Sequence, residues 1–535
     1  MQWSIIRQRL TADRRLTVCC AVLGALFSAV TVTGCELRKY GAFRAGRLLS
    51  GMGLFVLLGV LFYAMAFALF WLCDLQRARE FKTERLLSRI SGNGFLIFLL
   101  LCVCWIPVWL AFWPGNFSAD SLTQFYSYYN EEPYAHHPLV HTALLGFCMM
   151  LGIDLHPEGY ATWGLAIYCG VQLVLLAACI AYACWWMKRR RVPVWARLAV
   201  TLLFALCPFY APWVFCAQKD VLFAALVTVF CLQLADVWKY GLKPVRLIFF
   251  VLISVLMMLL RNNGVYALAL LLPFAIWWAK GRRIRMSALL AVCMALYLAV
   301  NGFMITKMEA TTGSKVEILS IPLQQIARTL RDDPASIVLD EDGVLETLYS
   351  ETDLAGLYHA QIADPVKWAI DYDLLDENIP ALLKLWARMG AGHLKTYVEA
   401  FMVQNLPYIL PYSDMLYNFD MTVHQIDYFP IEQNSLLPEL NKIYMEYDKS
   451  LSFMGIPGTR LLSEPAFFVW LCVAGLAYAL CRHEYGLTAA FGMLLAVWFT
   501  CLLGPVAIMR YVLSLYYAVP VLWGCLLIPG GFERR

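Results

Sequence analysis

"FVLLGVLFYAMAFALFWLC", residues 55–73, carries no charge along a length able to cross a bilayer, and similar runs recur through the chain. A spanning helix needs about twenty mostly apolar residues, and inside hydrocarbon the backbone must satisfy its own hydrogen bonds. Such runs leave a bundle of transmembrane helices as the only economical fold. Twelve spans are expected, near 16–34, 51–73, 93–113, 162–187, 197–215, 220–237, 245–261, 264–280, 286–303, 465–481, 486–505 and 511–528. Composition agrees: 61% of the 535 residues are hydrophobic and 15% are charged, where a soluble domain has roughly 45–50% and 25%. The chain reads as an all-α polytopic membrane protein. Its net charge of +4 is too small to call for nucleic acid.

The cysteines fall almost entirely inside apolar runs, as in "VCCAVL" and "LLLCVCW", where a thiol behaves as a small hydrophobe. No disulfide framework is expected, and no Cys/His spacing resembles a zinc site. Near the start, Arg7, Arg9, Arg14 and Arg15 precede an apolar stretch ending in "VTGC". That loosely matches a lipoprotein processing site, but with many spans following, an uncleaved first helix is expected and Cys35 is left unlipidated. No internal sequence repeat is visible, which weakens an inverted-repeat transporter reading.

Lys and Arg in short loops set orientation. "DLQRAREFKTERLLSR", "MKRRRVPVWAR", "VWKYGLKPVR", "AKGRRIR" and the final "ERR" share one side if the N-terminus is cytoplasmic. "ELRKYGAFRAGR" dissents, being basic yet placed outside. The same threading puts the loop 114–161 and the segment 304–464 outside. The latter holds well over half of the acidic residues and is rich enough in Leu, Tyr and Trp to fold as a mainly helical extracytoplasmic domain.

Three cations then stand where cations are scarce, at outer helix ends: Lys219 in "FCAQKDVLF", Arg261 in "LLRNNGVYAL" and Arg510 in "GPVAIMRYVLSLYY". An ionisable group near hydrocarbon is costly. Snorkelling or a local pair, such as Lys219 with Asp220, would offset that cost. So would convergence of all three on an anion such as a lipid phosphate. In "FWPGNFSADSLTQFYSYYNEEPYAHHP", Pro and Gly end a span and a helix restarts with Ser118 or Asp120 as cap. Gln124 would lie one turn beyond Asp120, and "HPLVHTALLGFCMMLGIDL" forms a second helix too short to span safely. Asp120 is either a helix cap or a carboxylate presented toward the bilayer. His136 and His137 are open between loop and ligand roles, and His141 reads as structural.

"FWPGNFSADSLTQF" with "HHP", then "QKDVLFA", "LRNNGVYAL", "EILSIPLQQIAR" and "GPVAIMRY", in that order, resemble the GT-C superfamily of integral-membrane glycosyltransferases. More closely, they resemble a DUF-type family of bacterial membrane proteins within it. The resemblance implies a seven-span core at 93–303 whose outer loop 114–161 forms two interfacial helices. Around it lie a two-span addition at 1–92, the domain 304–464 and a three-span segment at 465–535. It implies a polyprenyl-phosphate-linked sugar donor, an extracytoplasmic glycan, lipid or protein acceptor, and Asp120 as the catalytic base of an inverting transfer. By the same match Lys219, Arg261 and Arg510 hold the donor phosphate, and Gln124, His137, Asn262 and Tyr511 position substrate. The paired carboxylates of some relatives are absent, since Ser121 follows Asp120. No cofactor is assigned, and help from a divalent cation stays open. The implied location is a bacterial plasma membrane, termini cytoplasmic and active site outside, amid membrane lipids and without nucleic acid. A membrane transporter or lipid flippase is the alternative function. It is expected to place its charges nearer mid-span.

Overall fold

The computed structural model describes residues 13–79, 85–156, 160–241, 243–278, 283–350, 352–419 and 421–533. From the N-terminus run α1 (Arg14–Tyr40), α2 (Ala45–Arg77) and α3 (Gly94–Ala111), then a two-residue strand β1 (Asn116–Phe117), α4 (Ala119–Tyr129) and α5 (Leu139–Leu155). Next come α6 (Thr162–Arg189), α7 (Val194–Leu206), β2 (Cys216–Ala217), α8 (Lys219–Tyr240), α9 (Pro244–Leu260), α10 (Asn263–Trp278) and α11 (Arg283–Lys307). The polar segment contributes α12 (Ser320–Asp332), α13 (Tyr372–Gly392), α14 (Leu394–Gln404) and α15 (Pro438–Ser450). The chain returns to the bundle with α16 (Pro465–Cys481), α17 (Tyr485–Leu502), a short 3-10 turn (Met509–Val512) and α18 (Leu513–Leu526).

Among the described residues, 8 helical stretches are long and apolar enough to cross a membrane: α1, α2, α3, α6, α8, α11, α17 and Met509–Leu526. The rest of the twelve expected spans are shorter apolar helices. The stretches near 197–215, 245–261, 264–280 and 465–481 contain α7, α9, α10 and α16, of 13, 17, 16 and 17 residues. The first stops early for a local reason. Pro208 pushes Cys207 into extended backbone, and Pro212 opens only one further turn, Pro212–Phe215. Helix α8 is the hub: nearly all of its apolar side chains are buried, and it packs on α6, α9, α17 and α18. Most cysteines sit in this packing as small apolar groups.

The polar segment forms a roof at one end of the bundle: residues 316–397 have a core of their own around Leu323, Ile326, Leu348, Leu375, Leu382 and Met389, while Tyr408, Phe419, Tyr444 and Tyr447 further on join the core of the bundle. Backbone pairing stitches this roof to the bundle. Phe117 N donates to Thr422 O at 3.0 Å, His424 N to Phe117 O at 2.8 Å, Ala135 N to Thr311 O at 2.8 Å, and Ala363 N to Pro505 O at 2.8 Å. The dissenting basic loop also lies under the roof, where acids meet it. Arg38 pairs with Asp414 at 3.4 Å, Glu399 accepts from Phe43 N at 2.6 Å, and Arg328 donates to Gly41 O at 2.9 Å. Among the described residues, other basic side chains gather at the opposite end, where Arg77 pairs with Glu484, Arg190 with Asp236, and Arg482 with Asp13 and Asp74. Arg7 and Arg9 lie outside the described residues.

Candidate functional site

Two helices begin side by side beneath the roof. β1 and β2 pair in parallel, Asn116 with Cys216 and Phe117 with Ala217. Three residues further on, each chain segment reaches the second residue of a helix, Asp120 of α4 and Asp220 of α8. The helix N-terminus carries partial positive charge, so a carboxylate in the first turn is favoured at both places. Ser118 is the cap of α4, accepting from Ser121 N at 3.3 Å, and Ser121 Oγ in turn donates to Ala217 O across the pair. Asp120 is therefore not consumed as a cap. Gly115 makes the close approach possible: at φ +145° it stands where an added Cβ would lie 2.5 Å from Cys169 Sγ and 2.9 Å from Phe215 O.

The three cations converge on these carboxylates. Lys219 Nζ lies 2.9 Å from Asp120 Oδ2 and 3.0 Å from His137 Nδ1. Arg510 spans both acids, with Nη2 3.4 Å from Asp120 Oδ2 and Nε 4.0 Å from Asp220 Oδ2. Arg261, in the extended break between α9 and α10, pairs with Asp220 and donates to Tyr511 O at 3.3 Å. Their burial differs in a way that orders the site. The Asp120 side chain is 30% exposed and that of Asp220 1%, while Lys219, Arg510 and Arg261 are 13%, 14% and 8% exposed. Asp220 and Arg261 form the floor; Asp120, Lys219 and Arg510 face outward.

Residues 134–526, well over half of the chain, match the DUF6020 family, a family of unknown function. The chain belongs to DUF6020. No curated protein and no solved structure matches it. The stretch shared with DUF6020 takes in His137, Lys219, Asp220, Arg261 and Arg510, and begins after Asp120.

In this DUF6020 protein the protonation states follow from contact chemistry. A lysine ammonium only donates, so His137 Nδ1 accepts from Lys219 and the imidazole is neutral. Burial, reinforced by Lys219, pushes its pKa down to about 2. Burial would raise the Asp120 carboxyl, but Lys219, Arg510 and their hydrogen bonds outweigh it and hold the group well below the usual carboxylate range. Among the described residues, three cations thus face two carboxylates beside a neutral histidine.

The remaining expected residues divide. Tyr511 lies in the cluster, its ring 4.6 Å from the Arg261 guanidinium and 5.4 Å from that of Arg510. Asn262 flanks it, accepting from Tyr297 OH at 3.1 Å. Gln124 is buried beneath α4: Nε2 donates to Asp120 O at 3.1 Å, while Oε1 lies 2.6 Å from His141 Nδ1 and accepts from Thr142 at 3.3 Å. Its amide is committed to holding the helix that carries Asp120. His141 continues that support to Tyr168 at 2.7 Å, and Gln172 Nε2 from there donates to the carbonyls of Trp213, Val214 and Cys216 beside β2.

Sequence reasoning offers Asp220 only as a local partner of Lys219; in the structure it serves Arg261 and Arg510 instead. The signal for it is the echo of "NFSAD" in "CAQKD", two five-residue strings whose first two residues pair in register and whose last residue is the carboxylate. Exposed His136 stands at the mouth, against Gly313 of the roof. Above it, buried Lys367 binds both oxygens of Glu317 at 2.9 and 2.8 Å and Asp364 at 2.8 Å. Among the described residues, no group of three or more His, Cys, Asp or Glu side chains is placed to hold a metal ion.

Proposed function

We propose that this protein is a GT-C-type membrane glycosyltransferase, moving a sugar from a polyprenyl-phosphate-linked donor to an acceptor outside the cell. The observation that carries the reading is the convergence of three cations, Lys219, Arg261 and Arg510, around an outward-facing carboxylate at the roofed end of the bundle. The positive-inside rule, applied to the basic end of the bundle, puts the roofed end outside. A donor phosphodiester carries one negative charge, which guanidinium and ammonium groups gathered in one place are suited to hold.

The net charge of the site is unchanged through the reaction. The acceptor oxygen forms a bond to the anomeric carbon as the bond from that carbon to the phosphate oxygen breaks. The electron pair stays on the phosphate, which becomes a dianion, and the acceptor proton passes to Asp120. One negative charge is gained on phosphate and one is lost on Asp120. Fixed cations in a low-dielectric site stabilise such a developing charge without reorganisation, and in many enzymes this effect lowers the barrier more than any other. Direct displacement inverts the anomeric centre.

A strongly acidic carboxyl is a weak base. Donor binding supplies the remedy, because the phosphate competes with Asp120 for Lys219 and Arg510 and so raises the carboxyl toward its ordinary value. Arg261 acts from behind, neutralising Asp220. The acceptor enters beneath the roof, past His136, Glu317 and Lys367.

The test is release of polyprenyl phosphate from a polyprenyl-phosphate sugar by the purified protein, compared with Asp120→Asn. The reading requires a fall of roughly 10²–10⁴-fold in the variant, with a cooperative unfolding transition retained. Undiminished transfer by the variant removes Asp120 as base. Movement of intact donor across liposomes with no bond cleavage would assign the chain to lipid transport instead.

A further inference from the structure

The end of the bundle opposite Asp120 holds a second concentration of positive charge. Lys219 and Lys239 stand at opposite ends of α8, about 30 Å apart at the helical rise, which is the thickness of the hydrocarbon core. Around Lys239 lies a cavity of about 240 Å³ lined by Arg189, Arg190, Arg191, Tyr240 and Phe532. It therefore sits at the other membrane interface from the proposed transfer site and takes no part in that site.

Its construction goes beyond loose surface charge. Asp236, buried, holds Arg190 and accepts from Trp186 Nε1 at 3.0 Å. That anchor leaves Arg190 Nε buried without a hydrogen-bond partner. Arg189 lies 4.9 Å over the Trp185 ring, Arg190 4.4 Å over Tyr240, and Lys239 4.5 Å over Phe532. Arg191 occupies the left-handed region at φ 61°, a position after a helix that glycine usually fills. Asp236 is bound to Arg190 by a salt bridge. The site is thus an open, strongly cationic cup with aromatic walls at the level of lipid headgroups.

We infer that this cavity binds the phosphate headgroup of an anionic phospholipid in the leaflet opposite the transfer site. Guanidinium groups match phosphate oxygens geometrically, and basic pockets between spanning helices at this level recognise such headgroups. The aromatic walls suit the boundary where the headgroup meets its acyl chains.

The probe is thermal unfolding of the purified full chain in neutral detergent, titrated separately with phosphatidylglycerol, phosphatidylcholine and inorganic phosphate. The expected result is a rise in melting temperature with phosphatidylglycerol alone. Arg189→Gln with Arg191→Gln should raise the midpoint lipid concentration by roughly tenfold or more, while leaving the Arg190–Asp236 anchor intact. Arg14→Gln with Arg285→Gln, removing equal charge from the same end outside the cavity, should not move the midpoint. Equal effects of the two lipids, or an unchanged midpoint in the cavity variant, would overturn the inference. So would equal weakening in the control variant, or stabilisation by inorganic phosphate matching that of the lipid.

Discussion

At the scale of single residues, the account turns on which charges are covered. Asp220 and Arg261 are the buried members of the cluster, and removing one partner of a buried pair strands the other. Asp220→Asn should therefore cost roughly 3–5 kcal/mol of stability, seen as a large drop in the melting temperature. Asp120→Asn, at the more exposed side of the cluster, should lower the melting temperature less than Asp220→Asn and leave a cooperative transition. His137 offers a separate check through pH. Its folded pKa is depressed from 6.5 to about 2, so the fold favours the neutral ring. That contribution is fully present above pH 6.5 and is lost progressively as pH falls toward 2. A pH series of melting temperatures should show wild type weakening below 6.5 and His137→Gln weakening less. Asp120, held well below its ordinary value of 3.8, keeps its stabilising contribution above that pH and loses it progressively as pH falls below it. The three cations and Asp120 are legible in the sequence because each stands out against apolar surroundings. Asp220 is not, because adjacent Lys219 offers it an obvious local partner, while its true partners come from α9's end and the turn before α18.

At the scale of elements, the site depends on two helices starting in register from a two-strand pair. Ser118→Ala removes the cap of α4 and should cost about 1 kcal/mol, with a matching loss of transfer if Asp120 shifts. Gly115→Ala places a methyl against Cys169 Sγ and the Phe215 carbonyl. The displacement of β1 should cost about 1–3 kcal/mol and reduce transfer more than stability alone explains. Comparing melting temperature with donor turnover in both variants separates the two effects. Long apolar runs make most spanning helices readable. The shortened ones are less so, since hydropathy does not weigh the proline breaks at 208 and 212 that end α7 and start the turn before β2. A two-residue parallel pair between segments a hundred positions apart leaves almost no trace in either segment alone.

At the scale of the whole molecule, charge is sorted to the two ends. One end carries the acidic roof and the cluster of Asp120, Lys219, Asp220, Arg261 and Arg510; the other carries the basic loops and the cavity around Arg190. The basic loop between α1 and α2 contradicts a simple sorting by sequence, and docking on Glu399 and Asp414 of the roof resolves it. The central claim is that the roofed cluster is a receptor for a lipid-linked phosphate. Cryo-electron microscopy of the protein with polyprenyl phosphate tests this most directly. The phosphate should lie within hydrogen-bond reach of Lys219 Nζ and the Arg510 guanidinium, with both cations drawn away from Asp120. A phosphate held elsewhere, with the Lys219–Asp120 contact unchanged, would contradict it.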